Sequence, residues 1–206
     1  MLMQWMNPMN GNLKGFFFCM NENINIVLAS SSPRRRELLS QIGLDYIVAP
    51  SLADENITET DPEKLVLKLS EVKAREVAPK YPDCAVIGAD TVVAAGGLIL
   101  GKPKSRDEAF SMINLIKNNC HSVFTGVTII KGDTVMSFAC ETKVYVYDMT
   151  TEEIEAYIDA GECMDKAGAY GIQGLFARYI EKIEGDYNNV VGLPVSRLMQ
   201  EMKKIK

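Results

Sequence analysis

An apolar run, Ile24–Leu28, leads directly into Ala29-Ser30-Ser31-Ser32-Pro33-Arg34-Arg35-Arg36-Glu37-Leu38-Leu39. That succession reads as a buried strand, a tight hydroxyl-rich turn and then a helix. Ser32 suits the N-cap, and Pro33 suits the first helical turn, where its missing N–H is not needed. Free backbone N–H groups and the helix dipole make such a start an anion site. Three hydroxyls and three guanidinium groups surround it, a donor set that fits a polyphosphate. A solvated basic first turn uses the same residues, and the local sequence leaves both readings open.

The chain has 206 residues, enough for one domain with a sizeable core. Hydrophobic residues make up 47% and charged residues 24%, the balance of a globular protein. The net charge of −5 argues against a general nucleic-acid binder, because such domains are usually basic. Five cysteines, at 19, 84, 120, 140 and 163, form no Cys-x-x-Cys pair. They read as reduced thiols of a cytoplasmic protein, and one histidine without paired spacing does not make a structural zinc site. Residues 1–23 differ from the rest: five methionines, several asparagines and the short cluster Phe16-Phe17-Phe18. That patch is too short for a membrane span and short for a signal-peptide core. The segment reads as a disordered extension, or as sequence upstream of a working start near Met20, with a single domain over 24–206. No membrane partner is expected.

Along the chain, the strand Ile24–Ala29 and a helix from Pro33 to about Ile42, closed by Gly43, come first. A short strand Tyr46–Ala49 and an acidic loop Pro50–Thr60 follow. Asp61-Pro62 starts a helix with Leu65, Leu69 and Val72 on its buried stripe. Ala85–Gly88 and Thr91–Ala94 read as strand segments flanking Asp90, and Gly96-Gly97 turns the chain into Leu98–Leu100. Ser105-Arg106-Asp107-Glu108 is a capping box, opening a helix with Ala109, Met112, Ile113 and Ile116 on its core face. Two long strands, His121–Ile130 and Thr134–Tyr147, join at Lys131-Gly132-Asp133. A helix from Thr150 to about Ala160, a glycine-rich loop Gly168–Gly174, a strand Arg178–Ile183 and a helix Pro194–Ile205 complete the chain. The mixture, with one long antiparallel hairpin, predicts a single α/β domain: a mixed β-sheet flanked by helices.

Several residues carry possible chemistry. Asp90, after the hydrophobic run Ala85-Val86-Ile87, is a base, a metal ligand or a turn residue. Asp54-Glu55 lies in the acidic loop. In Gly101-Lys102-Pro103 the lysine suits a phosphate as a point charge. Lys73 sits among Lys68, Glu71, Arg75 and Glu76, where a solvated face is the plain reading. Lys166-Ala167-Gly168-Ala169-Tyr170-Gly171-Ile172-Gln173-Gly174 demands unusual backbone geometry, and Gln173 both donates and accepts, as reading a base edge requires. His121, at a strand start, reads as a structural hydrogen-bonding residue. Taken together, these are the parts for metal-assisted attack of water on a phosphoanhydride.

The set formed by residues 28–35, Gly88-Ala89-Asp90-Thr91, Leu100-Gly101-Lys102-Pro103, residues 166–174 and Val190-Val191-Gly192-Leu193-Pro194 resembles the Maf family of nucleoside triphosphate pyrophosphatases. The likeness runs in order from about Ile24 to the C-terminus. It implies an ITPase-like fold, hydrolysis of a nucleotide to its monophosphate and pyrophosphate, a divalent cation (Mg²⁺ or Mn²⁺), a cytoplasmic location and a homodimer. The Ala89-Asp90-Thr91 and Tyr170–Gly174 forms resemble the branch acting on dTTP and UTP. By that resemblance Asp90 is the proton acceptor. Arg34, Thr91 and Gln173 stand at specificity positions, Ser32, Glu55, Lys73 and Lys102 line the pocket, and Glu55 with Asp90 holds the metal. A modified nucleotide such as 7-methyl-GTP is the alternative substrate, and a non-catalytic nucleotide-binding regulator of cell division the alternative role. Two residues depart from the family pattern. Asn118 stands where glycine is frequent and tolerates positive φ; Phe176 stands where glycine is usual, and is expected to alter the loop packing.

Residues 1–19 contain no periodic element able to dock on a core, so their removal is predicted to leave folding and nucleotide hydrolysis intact. Thermal unfolding and turnover of the truncated protein check this; a truncated chain that fails to fold or turn over contradicts it.

Overall fold

The computed structural model describes residues 25–205, so the expectations for residues 1–23 lie outside the described residues. Among the described residues, seven strands form one mixed sheet in the order β2-β1-β3-β5-β6-β7, with β4 paired to β3. The strands are β1 (Ile26–Leu28), β2 (Tyr46–Val48), β3 (Ala85–Ala95), β4 (Leu98–Leu100), β5 (Asn119–Lys131), β6 (Thr134–Val146) and β7 (Ile180–Glu184). The helices are α1 (Pro33–Gln41), α2 (Pro62–Val77), α3 (Arg106–Ile116), α4 (Thr151–Asp159), α5 (Tyr187–Val191) and α6 (Val195–Met202). β1 lies parallel to both β2 and β3, and every other pairing is antiparallel. The expected mixed α/β domain is therefore present.

Several elements follow the sequence closely. β5 and β6 pair from Asn119↔Val146 to Lys131↔Thr134, leaving Gly132-Asp133 as a two-residue turn. Gly96 and Gly97 turn β3 into β4 with φ of 55° and 76°, values an L side chain seldom adopts. The core face of α3 is Ala109, Met112, Ile113 and Ile116. Its capping box is half formed: Ser105 accepts from Glu108 N–H, but the Glu108 carboxylate takes the Lys104 N–H instead. The complete box sits at α4, between Thr150 and Glu153. Asn118 does adopt positive φ, 49°.

Other elements differ. The buried face of α2 is Val66, Leu69, Ser70, Ala74 and Val77, while Leu65 and Val72 are only half-buried. The cause is the close seating of α2 on the sheet. A Cβ on Gly88 would collide with the Ser70 carbonyl, and one on Gly126 with the Val66 carbonyl. Small inward residues therefore replace the large apolar ones. Ser70 bonds Thr128 across this contact at 2.9 Å. The two strand segments around Asp90 are one continuous strand, β3, with Asp90 opposite Gly126 in the middle of it. Ser32 holds the N-cap position of α1 without a capping side-chain bond; its own N–H donates to Ser30 Oγ at 3.3 Å. β7 starts two residues later than Arg178, because Leu175–Tyr179 forms a short 3₁₀ turn, and the last helix is the shorter α6.

The sheet has two unequal layers. The α2 face holds a small cluster of Val27, Ala29, Val77 and Val86. The opposite face holds the main core, where α3, α4 and α6 bury Ile113, Ile154 and Leu198 against Ile87, Val127 and Val144. Phe176 is fully buried there and packs against Tyr157, Tyr170 and Tyr179 at centroid distances of 5.1, 4.8 and 5.7 Å. It anchors the chain after the glycine-rich loop in aromatic packing. The described cysteines, Cys84, Cys120, Cys140 and Cys163, are free thiols. No described helix is long and apolar enough to cross a membrane.

His121 belongs to this core. It is 2% exposed and its Nε2 lies 2.7 Å from the Tyr170 hydroxyl. Burial pushes its pKa down to about 4. In the unfolded chain an imidazole titrates near 6.5, so between about pH 6.5 and 4 the unfolded state takes up a proton that the fold refuses. Stability is therefore full above pH 6.5 and falls on acidification. This side chain should cost about 2 kcal/mol between pH 7 and 5. Chemical denaturation at the two pH values checks it: the loss should shrink strongly in His121→Gln, and an equal loss in both proteins contradicts it.

Candidate active site

The site begins at a break in the sheet. β1 covers β3 only as far as Leu28↔Ile87, and β4 begins only at Val93↔Leu100. Residues 88–92 thus keep β5 on one side and, among the described residues, have no paired strand on the other. Side chains alternate across a strand, so consecutive residues here face opposite layers. Gly88 faces α2, and so does Asp90, while Thr91 faces the main core side. Because the neighbouring strand is missing, both reach one cleft of about 640 Å³. Ligand crevices of α/β sheets form at such places, beyond the carboxyl ends of parallel strands.

All eight residues singled out in the sequence line this cleft: Ser32, Arg34, Glu55, Lys73, Asp90, Thr91, Lys102 and Gln173. On the α2 side, Lys73 Nζ lies 2.6 Å from Asp90 Oδ1 and 3.1 Å from Glu55 Oε2. Its side chain is 12% exposed and that of Asp90 15%, so Lys73 is not on a solvated helix face. The Glu55 side chain, 52% exposed, reaches in from the acidic loop. Asp90 is no turn residue; a rigid central strand carries it.

The three arginines divide. Arg34, at the cleft rim, bonds Asp165 at 2.9 Å. Lys166 bonds the other Asp165 oxygen at 2.7 Å. Partial burial works against the Asp165 charge, but these two cations outweigh it and hold its pKa down to about 2. Arg35 is buried, donating to Gly192 O at 2.8 Å, Ser30 Oγ at 3.0 Å and Thr91 Oγ1 at 3.1 Å. Burial lowers its pKa, and the nearby Asp90 charge partly restores it. Arg36 is exposed. A run of three identical side chains gave no sign of which one turns inward; only the helical phase of α1, with Leu38 and Leu39 buried, places Arg35 on the inner face.

The glycine-rich loop closes the other end. Gly168 has φ 68° and its N–H bonds the Gly101 carbonyl at 3.0 Å, tying the loop to the end of β4. A Cβ on Gly174 would strike the Glu162 carboxylate, which accepts the Leu175 N–H at 2.8 Å. Gln173 is held exposed between them. Tyr170, Ile172, Val93, Val123 and Val191 give this side of the cleft an apolar wall. Arg35, Asp165 and Lys166 were not singled out as site residues in the sequence, although Arg35 and Lys166 stand inside the two motifs.

The α2 side of the cleft thus offers paired carboxylates and a lysine, while the α1 start stands on the opposite side, tied to Thr91 and Gly192 by Arg35 and to Asp165 by Arg34. That opposite side also carries an apolar wall and the Gln173 amide. Such a cleft accommodates a ligand with a charged end and a flat, hydrogen-bonding end.

The family model described as Maf-like protein matches residues 25–205. A Thermoanaerobacter sp. (strain X514) protein named dTTP/UTP pyrophosphatase is 52% identical over 184 residues, covering 88% of this chain and 96% of the relative. A Lachnoclostridium phytofermentans protein of the same name is 50% identical over 185 residues, covering 87% and 94%. Among solved structures, the Ham1 protein of Staphylococcus aureus aligns with a TM-score of 0.50 at 14% identity, over 88% of this chain and 100% of that one. This last likeness is one of fold. Since the family match spans the sheet, the break beside β3 and the glycine-rich loop together, the chain belongs to the Maf-like proteins.

Proposed function

We propose that this chain hydrolyses dTTP and UTP to the nucleoside monophosphate and pyrophosphate, as a cytoplasmic enzyme whose working domain is 24–206. The observation that carries this reading is the convergence of Asp90, Lys73 and Glu55 with the 30–34 turn in one cleft that also holds Gln173. The names of relatives at about half identity support the substrate.

In this reading the phosphates lie at the start of α1, where free N–H groups and the helix dipole favour negative charge. Arg34 pairs with phosphate oxygens, leaving Asp165, and Lys102 adds a point charge from the facing loop. Asp90 accepts the proton of the attacking water as it adds at the α-phosphorus and pyrophosphate leaves. Lys73 fixes the Asp90 carboxylate and balances its charge in the ground state. Gln173 bonds the base edge, and Thr91 contributes to selectivity.

The acidic pair fits a divalent cation, Mg²⁺ or Mn²⁺. Glu55 and Asp90 already share one cationic group, the Lys73 ammonium, and hard cations at phosphates commonly use one or two carboxylates with substrate oxygens. When bound, such an ion supplies charge neutralisation and lowers the cost of deprotonating water. A homodimer is part of the same proposal, on the family resemblance; nucleic acid and membranes are not among its partners.

The test is product analysis on a nucleotide panel with Mg²⁺: UTP and dTTP should give monophosphate and pyrophosphate, and orthophosphate release or no turnover contradicts the reading. Asp90→Asn should fold, bind UTP and lose turnover by a factor of about 10²–10⁴, as for loss of a general base. Near-normal turnover in a folded Asp90→Asn protein makes Asp90 structural.

A further inference from the structure

The hydroxyl of Thr91 has its proton committed. Thr125 Oγ1 lies 2.9 Å from the Asn189 carbonyl oxygen, which only accepts, so Thr125 spends its single proton there. Thr125 Oγ1 also lies 2.9 Å from Thr91 Oγ1. With no proton left, Thr125 must accept in that bond and Thr91 must donate. Arg35 Nη2 donates to Thr91 Oγ1 from another direction, at 3.1 Å. Thr91 therefore keeps one lone pair, and no proton, for the cleft it lines.

The relay is rigid. Thr125 and Asn189 are both 0% exposed. The Asn189 side-chain amide donates to the Val123 carbonyl and to Thr142 Oγ1, each at 3.0 Å, and Thr142 donates to the Asp186 carbonyl at 3.0 Å. This holds α5, and with it the Asn189 carbonyl, against β5 and β6. Arg35 binds the Gly192 carbonyl just past α5, so both ends of the relay are fixed.

We propose that Thr125 is a positioning residue that sets substrate selectivity: by taking the Thr91 proton it makes Thr91 a pure acceptor, so this point of the cleft reads a hydrogen-bond donor on the nucleoside. The proposal rests on the nucleotide reading above. Fully ionised phosphate oxygens offer no proton, which assigns Thr91 to the nucleoside half of the ligand. Two nucleoside groups shared by UTP and dTTP offer one: the ring N3–H of the base, and the 3′-hydroxyl of the sugar. Cytosine presents an acceptor at N3, and a 3′-deoxy sugar lacks the hydroxyl.

The experiment compares kcat/KM for UTP, CTP and 3′-deoxy-UTP in the wild type, Thr125→Val, Thr125→Ser and Thr91→Val, with thermal unfolding of each. Thr125→Val keeps the shape and frees the Thr91 proton to turn outward. The preference of UTP over CTP, or over 3′-deoxy-UTP, should fall about five- to tenfold, the worth of one hydrogen bond. Which ratio moves identifies the donor. Thr125→Ser keeps the relay and should retain the wild-type ratio. Thr91→Val lines the cleft rather than the core and should shift the same ratio even if Thr125→Val folds poorly. Equal losses on all three nucleotides in Thr125→Val, or unchanged ratios in Thr91→Val, overturn the proposal. A wild type that releases no pyrophosphate from UTP overturns the functional reading itself.

Discussion

The seating of α2 on Gly88 and Gly126 governs the geometry of this molecule. Backbone lies on backbone there, closer than any side chain permits. Ser70 and Ala74 complete the contact, and the helical phase that turns them inward also turns Lys73 toward Asp90. A larger residue at either glycine would push α2 outward and pull the ammonium away from the carboxylate. Helix packing and the charge arrangement of the cleft are thus one constraint. A largely buried lysine between two carboxylates is tolerable because its charge is matched.

The lack of a paired strand beside residues 88–92 among the described residues does the rest. In an unbroken sheet, Asp90 and Thr91 would serve two separate surfaces. With the neighbour absent, the cleft passes from one layer to the other and meets both. Arg35 then acts as the floor: one buried guanidinium ties the end of β1 at Ser30, the middle of β3 at Thr91 and the chain after α5 at Gly192. Its planar fork suits three separately oriented acceptors, a task that the point charge of a lysine does not match.

Much of this was legible in the sequence, and the failures are informative. The turn after β1, the core face of α3, the β5–β6 hairpin and the glycine turns follow from local rules, so composition and spacing reveal them. The α2 stripe did not, because Ser70 and Ala74 are small inward residues whose reason lies on another strand. Asp90 read as the edge of a strand because a polar residue in an apolar run looks like an end; the gap that lets it stay inside a strand is a tertiary feature. The family motifs brought Ser32, Arg34, Lys73, Lys102 and Gln173 forward, and they line one cleft. Arg35 and Asp165 remained unseen, one hidden in a run of like residues and the other contributed by a loop far along the chain. Phe176, a departure from the family pattern, proved to be the buried anchor of the loop beside it.

The cleft makes a positional claim: the charged end of the ligand belongs between the α1 start and Asp90, the flat end to the apolar wall beside Thr91 and Gln173. A crystal structure with α,β-methylene-UTP and Mg²⁺ tests this most directly, since that analogue cannot lose pyrophosphate. The triphosphate is expected against the 30–34 turn with its α-phosphate nearest Asp90, and the uracil across the sheet gap beside Thr91 and Gln173. A uracil lying on the α2 face, or phosphates bound away from the α1 start, would contradict it.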